Sequence, residues 1–162
     1  MPGIDELTAR RDALRSRTLR PKSERLPSAA RGVHHLALIS ADVERTVHFY
    51  QDLLEFPLTD MFENRDLPGS THFFFDIGNG NALAFFDLPG VHPGPYAEVL
   101  GGLHHLAISV AASTWERLRA KLETAGVECL NIETSLYFRD PDGARLELIS
   151  DPLGEMYGTT VL

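Results

Sequence analysis

The chain has 162 residues, 43% of them apolar, enough to bury a core as one compact domain or as two small fused halves. Its net charge of −8 is unevenly spread: Met1–Gly32 holds eight Lys/Arg against four Asp/Glu, leaving seven basic and 19 acidic residues in the remainder. An acidic body argues against nucleic acid as the main partner, because that binding needs a basic stripe.

The single cysteine, Cys129, excludes an internal disulfide and fits a reducing compartment. Its apolar, strand-like surroundings suggest a buried structural thiol. No apolar run approaches the roughly 18 residues of a membrane span, and the N-terminus lacks the apolar core of a signal peptide. The expectation is a soluble, cytoplasmic protein without membrane or nucleic-acid partners.

In chain order, Ile4 to about Arg17 reads as a helix with Ile4, Leu7 and Leu14 on one side. Pro21 and Pro27 mark a linker, so residues 1–32 form a helical arm expected to pack on the body or on a partner subunit. Residues 33–88 form a first unit. Val33–Ser40 alternates like a strand, and Asp42 can cap a helix to about Glu55, with Val43, Val47, Tyr50 and Leu54 on one face. Strands follow at Phe56–Glu63, Thr71–Ile77 and Ala82–Leu88. The last two are joined by the hairpin signal Gly78-Asn79-Gly80-Asn81. Residues 89–102, with three prolines and four glycines, read as a linker.

The order then repeats in residues 103–150. Leu103–Val110 is strand-like, and Ser113-Thr-Trp-Glu116 has the pattern of a capping box. The helix behind it shows Trp115, Leu118 and Leu122 on one face and Gly126 at its C-cap. Strands follow at Val127–Ile132, about Leu136–Arg139 and Ala144–Ser150, with Asp140-Pro141-Asp142-Gly143 as a tight turn. Residues 151–162 show no clear pattern. A repeat of this size implies an α+β fold of two fused βαβββ modules with pseudo-two-fold symmetry, forming a half-open sheet around a cavity.

Each module opens on a His-His doublet, in VHHLALIS at Val33–Ser40 and LHHLAISV at Leu103–Val110. Side chains alternate along a strand, so His35, Ala37 and Ile39 share one face, and His105, Ala107 and Ser109 form its copy. His34, Leu36 and Leu38 would meet the helix. The small residue two places after His35 and His105 leaves room for a ligand. Superposing Gly80 on Gly143 puts Ala84 opposite Glu147, a carboxylate inside the run Leu146-Glu-Leu-Ile149, where an unpaired charge would be costly. A lone strand histidine is ordinarily a surface or satisfied core residue, and Glu147 could face solvent on an alternating edge. Their repetition at matched places favours a shared site. Two histidines and one carboxylate with open positions is the ligand set of non-haem Fe(II) oxygenases, although Mn, Co, Ni or Zn could occupy it.

His72 lies opposite Phe73 and Phe75 by parity; facing the cavity, it could act as general acid or base. Phe73, Phe75 and Phe85 or Phe86, depending on strand register, could line an apolar pocket for a flat ring, although such residues are more often plain core. His48 on the helix and His92 in the linker do not fit as ligands.

These features resemble the vicinal oxygen chelate superfamily, which includes glyoxalase I, extradiol ring-cleaving dioxygenases, methylmalonyl-CoA epimerase, fosfomycin-modifying enzymes and bleomycin-binding proteins. The resemblance is carried by the HHLAL strands, by Arg45-Thr-Val-His-Phe-Tyr-Gln-Asp-Leu-Leu54 and by Tyr-Phe-Arg-Asp-Pro-Asp-Gly-Ala-Arg-Leu-Glu-Leu-Ile149. It covers about Gly32–Ser150 and implies metal ligands at His35, His105 and Glu147. Glyoxalases and epimerases usually add a Glu or Gln where this chain has Ala84, whereas extradiol dioxygenases leave that place vacant. Those dioxygenases also carry a tyrosine ten residues before the glutamate, which falls on Tyr137. The resemblance therefore implies a divalent-metal enzyme, Fe(II) favoured, acting with O2 on a small catechol-like substrate, with homodimers common among relatives. The competing readings are a glyoxalase- or epimerase-like isomerase or lyase, and a metal-free binding or resistance protein.

Overall fold

The computed structural model describes residues 2–91 and 93–162, so His92 lies outside the described residues. The chain divides into two units, Met1–Gly32 and Val33–Leu162. In the first, α1 (Ile4–Thr18) has Asp5 and Glu6 in its first turn and Arg15 and Arg17 in its last, complementing the helix dipole. It buries no residue. Ile4, Leu7 and Leu14, the side expected to pack, are all exposed.

The second unit contains both sheets. Its first module runs β1 (His35–Ser40), α2 (Val43–Val47), a π-helical continuation (His48–Leu53), β2 (Leu58–Glu63), β3 (Thr71–Asp76) and β4 (Ala82–Asp87). The Asp42 side chain accepts from the Arg45 amide and starts α2. The wider π turn closes with the Leu54 amide on the Phe49 carbonyl. It adds Phe49 to the buried face, beside the expected Tyr50 and Leu54. The strands order β1-β4-β3-β2, with β1 parallel to β4 and the other pairs antiparallel.

The second module repeats this with β5 (Leu106–Ser109), α3 (Ala112–Thr124), β6 (Leu130–Ile132), β7 (Ser135–Arg139) and β8 (Arg145–Ile149), ordered β5-β8-β7-β6. Two four-stranded mixed sheets with few helices give the expected α+β fold of paired βαβββ modules. Three local expectations need correction. The strand expected from Leu103 starts only at Leu106; the Leu103 and His104 carbonyls instead accept from the Tyr96 hydroxyl. Helix α3 starts one residue ahead of Ser113, behind an extended Ala111 with no side-chain cap, so no capping box forms. The patternless tail contains a small hairpin, β9 (Glu155–Met156) and β10 (Thr159–Thr160), turned at Tyr157-Gly158 with φ of 49° and 71°.

Between helices and sheets lies the core of Tyr50, Phe73, Phe75, Leu83 and Phe85 in the first module and Leu118, Leu122, Leu136, Leu146 and Leu148 in the second. Phe73, Phe75 and Phe85 therefore do not line a pocket: all three are fully buried. Strand alternation dictates this, because the parity that turns His72 to the open face turns its neighbours under the sheet. The Trp115 indole donates to the Leu148 carbonyl at 2.9 Å, pinning α3 onto β8. The modules are joined by the Tyr50 hydroxyl donating to Asp140 at 2.9 Å, by Arg45–Asp142 at 2.6 Å and by Arg117–Glu55 at 2.7 Å.

Candidate metal centre

In the second sheet, parallel pairing sets Ala107 beside Glu147, and antiparallel pairing sets Tyr137 on the other side of Glu147. His105, one step before β5, shares that face. Its Nε2 is 2.9 Å from Glu147 Oε2, and the carboxylate is fully buried. The two atoms are nevertheless not aligned as a hydrogen bond, which leaves Oε2 a buried acceptor without a donor. Such an orphan is costly unless something else satisfies it. Two donor atoms bound side by side to one cation at about 2.1 Å stand about 3 Å apart, so the pair fits a shared metal ion.

Two further contacts hold these atoms in place. The Ser135 hydroxyl donates to Glu147 Oε1 at 2.5 Å, leaving Oε2 to face the site. His105 Nδ1 lies 2.6 Å from His104 Nδ1, so the ring is fixed through the nitrogen that a metal would not use. The Tyr137 ring meets His105 edge-on at 5.8 Å. Its phenol is pushed up to about 12, first by burial, then by the Tyr157 hydroxyl and the charge of Glu147. A phenol so shifted stays protonated at neutral pH and can donate. A cleft of about 600 Å³ opens over this group, lined by His104, His105, Cys129, Tyr137, Arg139 and Arg145. Cys129, expected to be buried, is only partly so. Burial still pushes its thiol up, which disfavours the reactive thiolate.

His35 is placed differently. Among the described residues no third His, Cys, Asp or Glu joins His105 and Glu147 in a metal-binding group. His35 is exposed on the face of the first sheet, its Nδ1 2.8 Å from His34 Nδ1 and its ring 6.2 Å from Phe74. His72 stands on the same face, stacked on Phe86 at 3.9 Å, with a buried Nε2 that has no partner. Its pKa is lowered by burial first and by His35 second, so it is neutral at working pH. His34 and His104, expected to meet the helices, are both exposed because each precedes the first residue of its strand. His48 pairs with Asp52 at the surface, away from either group.

Two contributors escaped the sequence. Ser135 is two residues before Tyr137, so alternation alone could have placed it on the site face. Tyr157, whose hydroxyl is 3.2 Å from Ser135 Oγ, arrives on the tail hairpin and has no periodic signal.

Paired βαβββ modules, each with a four-stranded mixed sheet, define the fold class. The family model for the glyoxalase/bleomycin resistance protein/dioxygenase superfamily matches residues 32–148, and the chain belongs to that superfamily. It is 29% identical over 139 residues to MhqA of Bacillus subtilis (strain 168), described as a candidate ring-cleaving dioxygenase, covering 80% of this chain and 43% of that one. It thus spans less than half of that relative's length. It is also 29% identical to the metallothiol transferase FosB of Shouchella clausii (strain KSM-K16), over 76% of this chain and 83% of that one. A solved structure of a candidate dioxygenase from Bacillus subtilis subsp. subtilis str. 168 superposes with a TM-score of 0.66 at 27% identity, covering 76% of this chain and 42% of that one.

Proposed function

We propose that this chain is a divalent-metal enzyme, most like an extradiol ring-cleaving dioxygenase, that holds a small substrate through two neighbouring oxygens. The observation that carries this is the buried Glu147 Oε2, without a hydrogen-bond donor and set 2.9 Å from His105 Nε2. His105 and Glu147 are two ligands, and His35 from a second copy of the chain is the third. Both site faces support that pairing: Ile39 and Phe62 on the first sheet and Leu130 and Ile132 on the second are at least 45% exposed. A divalent ion held by these residues, Fe(II) favoured, would supply Lewis acidity toward the neighbouring oxygens of the substrate. Tyr137, held protonated, donates to a substrate oxygen. His72, neutral and unpartnered, accepts or returns a proton from the facing sheet. Ala84, fully buried where Glu147 has its counterpart, supplies no further ligand, which favours this reading over a glyoxalase-like isomerase.

Metal analysis of anaerobically purified protein tests it. The expected result is about one Fe per chain, with O2 uptake on a catechol panel. Protein that is metal-free and does not rebind Fe, Mn, Ni or Zn overturns the reading. The shared site has its own test. His35→Ala and Glu147→Ala proteins should each fail to bind metal alone, and mixing them should restore binding in a fraction of sites. Failure of the mixture with both variants folded removes the second copy from the site.

A further inference from the structure

On the site face of the second sheet, directly beyond Tyr137 and Glu147, Arg139 and Arg145 are cross-strand partners. Like charges set opposite each other destabilise a sheet unless an anion lies between them. Here the anion is Glu98, from the Pro- and Gly-rich segment linking the modules. Its Oε1 is 2.6 Å from Arg145 Nη2 and 3.5 Å from Arg139 Nη2, and its Oε2 is 3.9 Å from His104 Nε2. Both arginines also line the cleft that holds His105 and Tyr137.

The linker segment is fastened on either side of Glu98. The Tyr96 hydroxyl donates to the Leu103 carbonyl at 2.7 Å, and the Arg139 guanidinium lies over the Tyr96 ring at 5.5 Å. Beyond Glu98 the chain turns through Gly102 N–H to the Val99 carbonyl, with Val99 and Leu100 exposed. Glu98 itself adopts neither helix nor strand and is held at its side chain by ion pairs that water reaches; about a third of its side chain is accessible, at 31%. Exposed pairs of this kind are weak and exchangeable. The planar fork of Arg145 suits a carboxylate or phosphonate better than the single-oxygen contact that Glu98 makes.

We infer that Arg145 and Arg139 form an anion subsite for the substrate, and that Glu98 is a resident carboxylate which an acidic substrate displaces. The inference rests on the proposed function for the oxygen-chelating end of the substrate and adds its other end. The preferred substrate carries an acidic group beside its neighbouring oxygens, oriented by Arg145 so that those oxygens meet His105 and Glu147. Arg145 and Arg139 are specificity-determining residues, and Glu98 sets the threshold for entry.

The test is anaerobic calorimetry on Mn(II)-loaded protein with two probes, catechol and 3,4-dihydroxybenzoate, after metal content has been measured. Wild type should prefer the carboxylate by roughly ten- to a hundredfold, the range of a charge-assisted bidentate contact. Arg145→Gln should reduce that preference to near parity, read as the ratio of the two affinities at equal metal loading. Glu98→Gln should increase it several-fold. Equal affinities in wild type, a preference that survives Arg145→Gln, or a Glu98→Gln protein that binds the carboxylate more weakly overturns the inference. So does a metal-loaded protein that binds neither probe. Protein that takes up no metal fails at the earlier step and overturns the proposed function instead.

Discussion

In the first module, Ala37 pairs with Ala84, which pairs in turn with Phe74, and His72 pairs with Phe86. In the second, the same register positions read Ala107 with Glu147, Glu147 with Tyr137, and Ser135 with Ile149. One backbone plan therefore carries two different surfaces. Where the second sheet has a carboxylate, the hydroxyl that orients it and a phenol, the first has a methyl group, an imidazole and an aromatic ring. Duplication fixes where a group can stand; substitution at three register positions gives the second face a carboxylate with its hydroxyl and phenol neighbours and the first face an imidazole among aromatic rings. The leading histidine, His35 or His105, and the alanine two places on, Ala37 or Ala107, are common to both faces.

The most severe way to break that asymmetry is to remove Glu147. Glu147→Ala should weaken metal binding by more than about a hundredfold, since it removes a ligand and not merely its support. His34→Ala, which removes only a contact to the His35 ring, should cost far less, about tenfold at most. Inductively coupled plasma analysis after equilibration with Fe(II) or Mn(II) reads both. Ser135→Ala is the intermediate case, because it frees the carboxylate to rotate without removing it. A loss of about ten- to a hundredfold in metal affinity is expected, as for other supports of metal ligands. Equal metal affinity in Ser135→Ala and wild type would show that the short Ser135–Glu147 contact does not position the ligand.

Much of this asymmetry was legible in the chain. The two turn glycines aligned Ala84 with Glu147 without any structure, whereas alternation put His34 and His104 against the helices and both are exposed. That Phe73, Phe75 and Phe85 belong to the core and not to a pocket follows from the same alternation that turns His72 to the open face. Other features could not be read locally. The Tyr157 contact depends on a two-residue hairpin that gains its place from the site it touches. The Glu98 contact depends on how an irregular segment is laid across β7 and β8. That His35 stands apart from Glu147 is a matter of module packing, which strand parity does not constrain.

The join between modules offers a milder perturbation. Tyr50 and Asp140 are both buried, and burial first of all pushes each upward: the phenol well above its usual range, and the carboxyl less far. Tyr50→Phe removes one donor to Asp140 but leaves those from the Asp142 and Ala144 amides, at 3.0 and 2.8 Å. The expected cost is about 1.5–3 kcal/mol, as for a hydrogen bond to a charged group, measured by denaturant unfolding. Metal affinity should not change, because the contact sits on the helix side of both sheets.

The smallest expected effect lies at the other tie between the modules, where Glu55 meets Arg117 at 2.7 Å and Lys121 at 3.2 Å. Those two cations, Arg117 first, hold the Glu55 carboxyl down at about 2, below the 4.5 of a free glutamate. A depressed carboxyl stabilises the fold above the unfolded value and loses that contribution as pH falls from 4.5 towards 2. The side chain is 37% exposed, so solvent screens most of the gain and about 0.5 kcal/mol is the realistic size. Glu55→Gln should therefore cost about that much at neutral pH. Salt should shrink the difference, and at pH 2 wild type and variant should converge. A difference that stays constant from neutral pH down to pH 2 would mean that Glu55 does not act through its charge.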